Sequence, residues 1–172
     1  PFHWAKATKQ TVPPELQRLV DVTAAADAFV FASPEYNFSA SPAILALLNH
    51  LPPAHYGGKM KLKPVLLVTY SMNKTAGARA LAPLGAVAGP LGCVTLSQTI
   101  SLGEAHVFLT PEGEEVPQPT PTLSGSVKPN TDLMRSAYRE LVVVGRALRE
   151  ARAQQAQEEA QAKAAKKSGA KL

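Results

Sequence analysis

Two short polar stretches hold the residue types that could do chemistry. They are Ser33-Pro34-Glu35-Tyr36-Asn37 and Ser71-Met72-Asn73-Lys74-Thr75-Ala76-Gly77. Each follows an apolar run rich in β-formers, Ala28-Phe29-Val30-Phe31-Ala32 and Pro64–Tyr70, and each leads into a helical pattern. Runs this short read as buried strands. In an open sheet of parallel strands, the loops at the carboxyl ends are where ligands bind. The chemistry available there is recognition by backbone N–H groups, with a ring at Tyr36 and a carboxamide at Asn37. Both residues have a plainer reading as turn builders, because Asn favours turns in any case. Gly77, at a helix start, permits close approach of a ligand to the backbone.

The neighbouring elements must hold these loops. Pro34 has no N–H to donate, so the first strand is expected to end and turn there. Ser41-Pro42 then supplies an N-cap and a proline at the first helical position, opening a helix from about Ser41 to Leu51. Pro52-Pro53 stops it. The second loop leads into a helix from about Ala76 to Ala88, with Arg79 in its first turn. Arg79 reads either as a cofactor-phosphate contact or as an exposed solubilising residue.

Upstream, Pro13-Pro14-Glu15 opens a helix to about Ala25, with Leu16, Leu19, Val20 and Val22-Thr23 as its buried stripe. Asp27 is read as a solvated junction residue. Lys59, Lys61 and Lys63 alternate before the second strand, as a solvated face more than a phosphate patch. Downstream, Val94 to about Ser101 alternates Thr95, Ser97, Thr99 and Ser101 with Leu96 and Ile100, the pattern of a strand near a sheet edge. Residues 104–130 carry Pro111, Pro117, Pro119, Pro121 and Pro129 and read as a loop, ordered at most around Val107-Phe108-Leu109. Thr131-Asp132 caps a last helix, with an apolar face of Met134, Tyr138, Leu141, Val142, Gly145 and Leu148. Residues 1–150 thus form one α/β domain with parallel strands. Residues 151–172 form an Ala/Lys/Gln-rich tail, a frayed helix or disordered, because nothing there can be buried.

Composition narrows the function classes. Five basic and two acidic residues in 151–172 carry +3 of the net +5, which leaves +2 for residues 1–150. A nucleic-acid partner would rest on the tail alone, and the tail has no aromatic residue for base stacking. No apolar run is long enough to span a membrane. The single cysteine, Cys93, fits a reducing, cytoplasmic compartment and reads as a buried thiol at a strand start. His3, His50, His55, His106 and Cys93 lack metal-ligand spacing. There is no nucleophile elbow and no Gly-x-x-x-x-Gly-Lys phosphate loop.

Pro34-Glu35-Tyr36-Asn37 closing a buried strand, followed by a small-residue turn and an apolar helix, resembles the NADPH-dependent FMN reductase family. The resemblance continues in order and spacing to about residue 150. It departs at Leu45, Ala46 and Asn49, where the family usually has Lys, Asn and Asp, and at Ser71, Met72 and Asn73, where its loop is often glycine-rich. The resemblance implies a flavodoxin-like three-layer α/β/α fold with a parallel sheet in the order 2-1-3-4-5. The three strands found here would be the third, fourth and fifth. The first strand, its phosphate loop and the second strand are then expected upstream of Pro1, and this chain alone is expected to be unstable and to bind FMN poorly.

The resemblance also implies FMN and NADPH as cofactors and a ping-pong reaction. Pyridine nucleotide reduces bound FMN, and a quinone, azo compound, metal ion or free flavin then takes the electrons. The FMN contacts it implies are Pro34, Glu35, Tyr36, Asn37, Ser71, Met72, Asn73 and Gly77, with no catalytic side chain. Backbone N–H groups aimed at the ring's N1 and O2 would favour the negative charge that gathers there on reduction. Glu35 is tempting as a general base, but hydride transfer to a flavin needs none, and a subunit-contact or surface role is the alternative. The resemblance further implies a homodimer or homotetramer. A second class stays open: a flavodoxin-like interaction module that kept the fold and lost the cofactor, with the basic tail as a docking segment.

Overall fold

A computed structural model describes residues 12–51, 58–108, 110–114, 116 and 131–169. Phe2, His3, Trp4 and His55, and most of the proline-rich loop, lie outside the described residues. The elements are α1 (Pro14–Ala25), β1 (Phe29–Tyr36), β2 (Ser39–Ala40), α2 (Pro42–His50), β3 (Pro64–Tyr70), α3 (Ala78–Ala88), β4 (Val94–Thr95), β5 (Ile100–Leu102), α4 (Ala105–Phe108) and α5 (Thr131–Gly169).

β3 is the middle of the sheet. It pairs in parallel with β1 on one side and with β4 and β5 on the other. Its Val65, Leu66 and Leu67 are buried, as expected for a strand covered on both faces. One core cluster joins Phe31, Val65 and Leu67 to Val20 of α1, Leu48 of α2, and Ala80 and Leu84 of α3. A second joins Leu66 and Ile100 to Ala137 and Leu141 of α5. Helices therefore cover both faces, in the three layers of a flavodoxin-like fold.

Several details differ from the sequence reading, each for a physical reason. β1 does not stop at Ala32 but passes through Pro34, which pairs with Tyr70. Proline is tolerated on an edge strand, and among the described residues β1 has β3 as its only neighbour as far as Pro34. The chain then reverses into the two-residue β2, antiparallel to β1, so the sheet is mixed. The third expected strand is split into β4 and β5, with buried Leu96 in the break. The short piece at Val107-Phe108 is helical, within α4. On α1, Val22 is 59% exposed, and Leu16 is half-buried; Val20 and Thr23 carry the burial. On α5, Tyr138 and Val142 point outward, while Ala137 and Val144 face the sheet with Leu141.

The amino ends of the strands are tied by charge. Lys63 is not part of a solvated face. It is 5% exposed, and its Nζ donates to the carbonyls of Thr23 and Ala24, both at 2.8 Å, at the end of α1. That is the negative end of the helix dipole, so the cation offsets part of its own desolvation. Asp27 is also not a free junction residue. Arg152 Nη2 reaches its Oδ1 at 2.7 Å and Arg149 Nη1 its Oδ2 at 3.5 Å, while Arg152 Nη1 donates to the Leu62 carbonyl at 2.8 Å. These contacts fasten α5 beneath β1 and β3. Beyond Arg152 the helix continues to Gly169 with exposed side chains as far as Lys166, helped by Gln154–Glu158 and Gln155–Glu159 pairs. No described helix is long and apolar enough to cross a membrane.

Burial lowers the Lys63 pKa and pushes the Cys93 thiol from its ordinary 9.0 up to about 11. The two act on alkaline stability with opposite sign. The unfolded thiol ionises first, so its contribution falls between pH 9.0 and about 11. The unfolded lysine holds its proton longer, so its contribution rises with pH up to 10.5. Replacing Cys93 with Ala should therefore flatten the alkaline loss of stability, by at most about 2 kcal/mol. Thermal melts of both proteins across that window check this; equal slopes would contradict it.

Candidate functional site

The parallel register decides which loops meet. Ser33 pairs with Thr69 and Pro34 with Tyr70, so β3 ends beside Pro34 and β1 runs two residues further, to Tyr36, at the same edge of the sheet. The chain after β1 makes a tight hairpin. Asn37 and Phe38 have φ of 49° and 63°, both left-handed, as in a type I′ turn. Asn tolerates that conformation; an aromatic residue does so at a cost. Ser33 closes the structure from below. It is fully buried, its Oγ accepts from the Ser41 amide at 2.9 Å and donates to the Pro34 carbonyl at 2.9 Å. Ser41 in turn caps α2 by accepting from the Ile44 amide, as its sequence context predicts.

The loop after β3 is folded on itself and on the segment after β5. The Ser71 amide donates to the Leu102 carbonyl, and Ser71 Oγ accepts from the Asn73 amide. The Asn73 carbonyl accepts from Ala76 and Glu104. Thr69 Oγ1 meets Ser101 Oγ at 3.0 Å. Gly77 begins α3 with a φ of 74°, and a Cβ there would lie 2.8 Å from the Tyr70 nitrogen and 2.9 Å from the Thr69 Cβ. The space that its missing side chain leaves is thus filled by β3 itself.

Seven of the eight predicted residues fall into two groups. Tyr36, Asn37, Met72 and Asn73 are exposed around the strand ends, with Tyr36 at 59% and Met72 at 72%. Among the described residues, the amides of Asn37, Phe38, Met72, Lys74 and Thr75 make no hydrogen bond, so both loops offer donors. Pro34, Ser71 and Gly77 lie deeper and shape the backbone. Glu35 is the surprise. A surface role does not hold, because its side chain is 4% exposed. Its Oε1 takes Arg79 Nη2 at 2.9 Å, and Arg79 lies over the Phe38 ring, 4.0 Å from the centroid. Phe38 and Arg79 thus join the site from outside the expected set. Arg79 had a signal, its place in the first turn after the loop; Phe38 had none until the turn geometry was known. Leu45 packs against the core, while Ala46 and Asn49 are exposed. Among the described residues, no cluster of His, Cys, Asp or Glu could hold a metal ion.

Residues 1–107, which include both loops, match the description of the NADPH-dependent FMN reductase family. The chain belongs to the NADPH-dependent FMN reductase family. FMN and NADPH are the cofactors this membership brings. Solved structures agree in fold. An oxidoreductase from Corynebacterium diphtheriae superposes with a TM-score of 0.54 at 14% identity, over 87% of this chain and 70% of that one. The apo form of the NADH:FMN oxidoreductase EMOB gives 0.52 at 19% identity, over 78% of this chain and 60% of that one. FerB, a flavoenzyme NAD(P)H:(acceptor) oxidoreductase from Paracoccus denitrificans, gives 0.52 at 20% identity, over 81% and 70%. The chain thus spans 60–70% of the length of these three structures. No curated protein matches the sequence.

The close approach at Gly77 makes a direct prediction for this FMN reductase loop. Gly77→Ala must displace the start of α3 from Thr69 and Tyr70, at a cost of about 1–3 kcal/mol. Its melting temperature should fall by several degrees, by roughly 3 °C or more. An unchanged melt would mean that the contact is not needed.

Proposed function

We propose that this chain holds FMN across the hairpin turn at Asn37-Phe38 and the loop from Ser71 to Gly77, and passes electrons from NADPH to a small-molecule acceptor. The observation that supports the reading most is the pair of adjacent strand ends whose loops carry amides without a partner among the described residues, beside exposed Tyr36, Phe38 and Met72. A flat ring with one apolar face and one polar edge needs that combination. The donor set also suits a ring that gains negative charge, because backbone N–H groups are fixed dipoles that need no reorganisation.

Bound FMN supplies the hydride and electron chemistry itself. The chain's residues do the rest. Tyr36 and Met72 offer surface for the ring, and the Asn37 carboxamide can bond to its polar edge. Ser71, Asn73 and Gly77 fix the backbone that carries the amides. None of these needs to exchange a proton with solvent for hydride transfer. We assign the acceptor to the class of quinones, azo compounds, metal ions and free flavin, which an open, exposed loop edge can admit. We also infer a homodimer or homotetramer, supported by exposed Leu133, Tyr138, Val142 and Val143 on α5.

The second reading is a non-catalytic module with this fold. Leu45, packed against the core where the family usually has a cation, and the internal hydrogen bonding of the 71–77 loop favour it.

The test uses FMN, NADPH and a quinone under anaerobic conditions. The chain with saturating FMN should lose the oxidised flavin's visible absorbance on adding NADPH and regain it on adding quinone. The Tyr36→Ala variant should slow the first step by about tenfold or more. Bleaching no faster than that of free FMN would move the assignment to the non-catalytic module.

A further inference from the structure

Three features around the hairpin are not explained by packing of the core. Phe38 occupies a left-handed position with φ of 63°, where a bulky side chain is disfavoured, and yet it is 68% exposed. Core packing therefore does not explain its presence. Glu35 is a carboxylate at 4% exposure, and among the described residues its Oε2 has no hydrogen-bond partner. Such a charge is held only by what meets its other oxygen. That partner is Arg79 Nη2 at 2.9 Å, which also lies 3.3 Å from Thr75 Oγ1. Arg79 then stacks on Phe38 at 4.0 Å, within the range of a cation–π contact.

The chain positions make this more than a surface pair. Glu35 and Phe38 belong to β1 and its hairpin turn, while Thr75 and Arg79 belong to the second loop and the first turn of α3. A guanidinium is planar and has donors in fixed directions, so it can hold a carboxylate edge-on and a ring face-on together. Lysine cannot. We propose that Glu35, Arg79 and Phe38 form one positioning unit that fixes the hairpin turn against the Thr75–Arg79 segment. Resting on the flavin reading above, this unit sets the spacing of the two donor loops. The buried carboxylate anchors the guanidinium, the guanidinium orients the ring, and the strained turn is held by the stack. These are positioning residues, since none of them has to touch a reacting atom.

The stranded Oε2 makes the energetics asymmetric. Removing Arg79 leaves a buried, unpaired charge, whereas removing both charges does not. The strained Phe38 gives a second asymmetry, because Asn suits the turn better but cannot stack.

The experiment compares Arg79→Ala, Arg79→Lys, Phe38→Asn and the double variant Glu35→Gln/Arg79→Ala. Three readouts are taken: melting temperature, amide hydrogen exchange in the flavin-free chain, and FMN affinity by fluorescence quenching. Arg79→Ala should lower the melting temperature, speed exchange in both the 36–40 and 72–78 segments, and weaken FMN binding by about tenfold or more. Adding Glu35→Gln should recover the melting temperature but not the affinity. Phe38→Asn should melt no lower than the parent, yet speed exchange across the gap in 72–78 and weaken FMN binding by about the same factor. Arg79→Lys keeps the charge and should still loosen the hairpin.

Exchange that changes only in the substituted segment would overturn the unit while leaving FMN binding by the parent intact. Exchange that changes in both segments, in a parent that ignores FMN, would sustain the mechanical unit and overturn the flavin reading instead. Parent-like exchange and affinity in both Arg79→Ala and Phe38→Asn would overturn the proposal outright.

Discussion

Six parallel pairs, from Phe29 with Val65 to Pro34 with Tyr70, bring two strand ends together at one edge of the sheet. Both polar loops start from that edge, so their relative height is set by backbone hydrogen bonding and not by their own side chains. A one-residue slip would turn every β1 side chain to the opposite face. Phe31 would leave the α1–α3 core, and Ser33 would lose its bonds to Pro34 and Ser41. The hairpin, the cap of α2 and the approach of Gly77 to Thr69 and Tyr70 all follow from this register.

The two ends of the sheet are built differently. At the amino ends, the buried Lys63 and the more exposed Asp27, Arg149 and Arg152 bind α1 and α5 to the strand starts through charge. At the carboxyl ends the tight contacts are small: a serine hydroxyl, a glycine without Cβ and two left-handed turn residues. Exposed rings, and amides without a partner among the described residues, stand above them. Rigidity below and offered surface above is a division that suits a protein whose cofactor does the chemistry. The buried Glu35 is the exception. It brings an ionic contact into the candidate functional end, and among the described residues only Arg79 compensates it.

Much of this was legible in the sequence. Apolar runs gave all three parallel strand lines, Ser41-Pro42 gave the start of α2, and Pro34-Glu35-Tyr36-Asn37 gave the family. What escaped has identifiable causes. Pro34 reads as a strand terminator because an edge position, where it is tolerated, depends on neighbours. Lys63 reads as solvated because a cation buried on helix carbonyls contributes nothing to local pattern. Glu35 and Arg79 are 44 positions apart and meet only once the register is fixed. The face of α5 is misread from sequence because Tyr138 and Val142 look like core residues, while the contact uses the small Ala137. Long-range pairing, not local propensity, separates the legible part from the rest.

The central claim is that FMN lies across the hairpin turn and the loop after β3. Hydrogen exchange of the parent chain with and without FMN tests it most directly. The account predicts slowed exchange at the Asn37, Phe38, Met72, Lys74 and Thr75 amides, and none along residues 153–169. Protection confined to another surface, such as the groove between α1 and α2 lined by Leu16, Leu19 and Leu47, would contradict it.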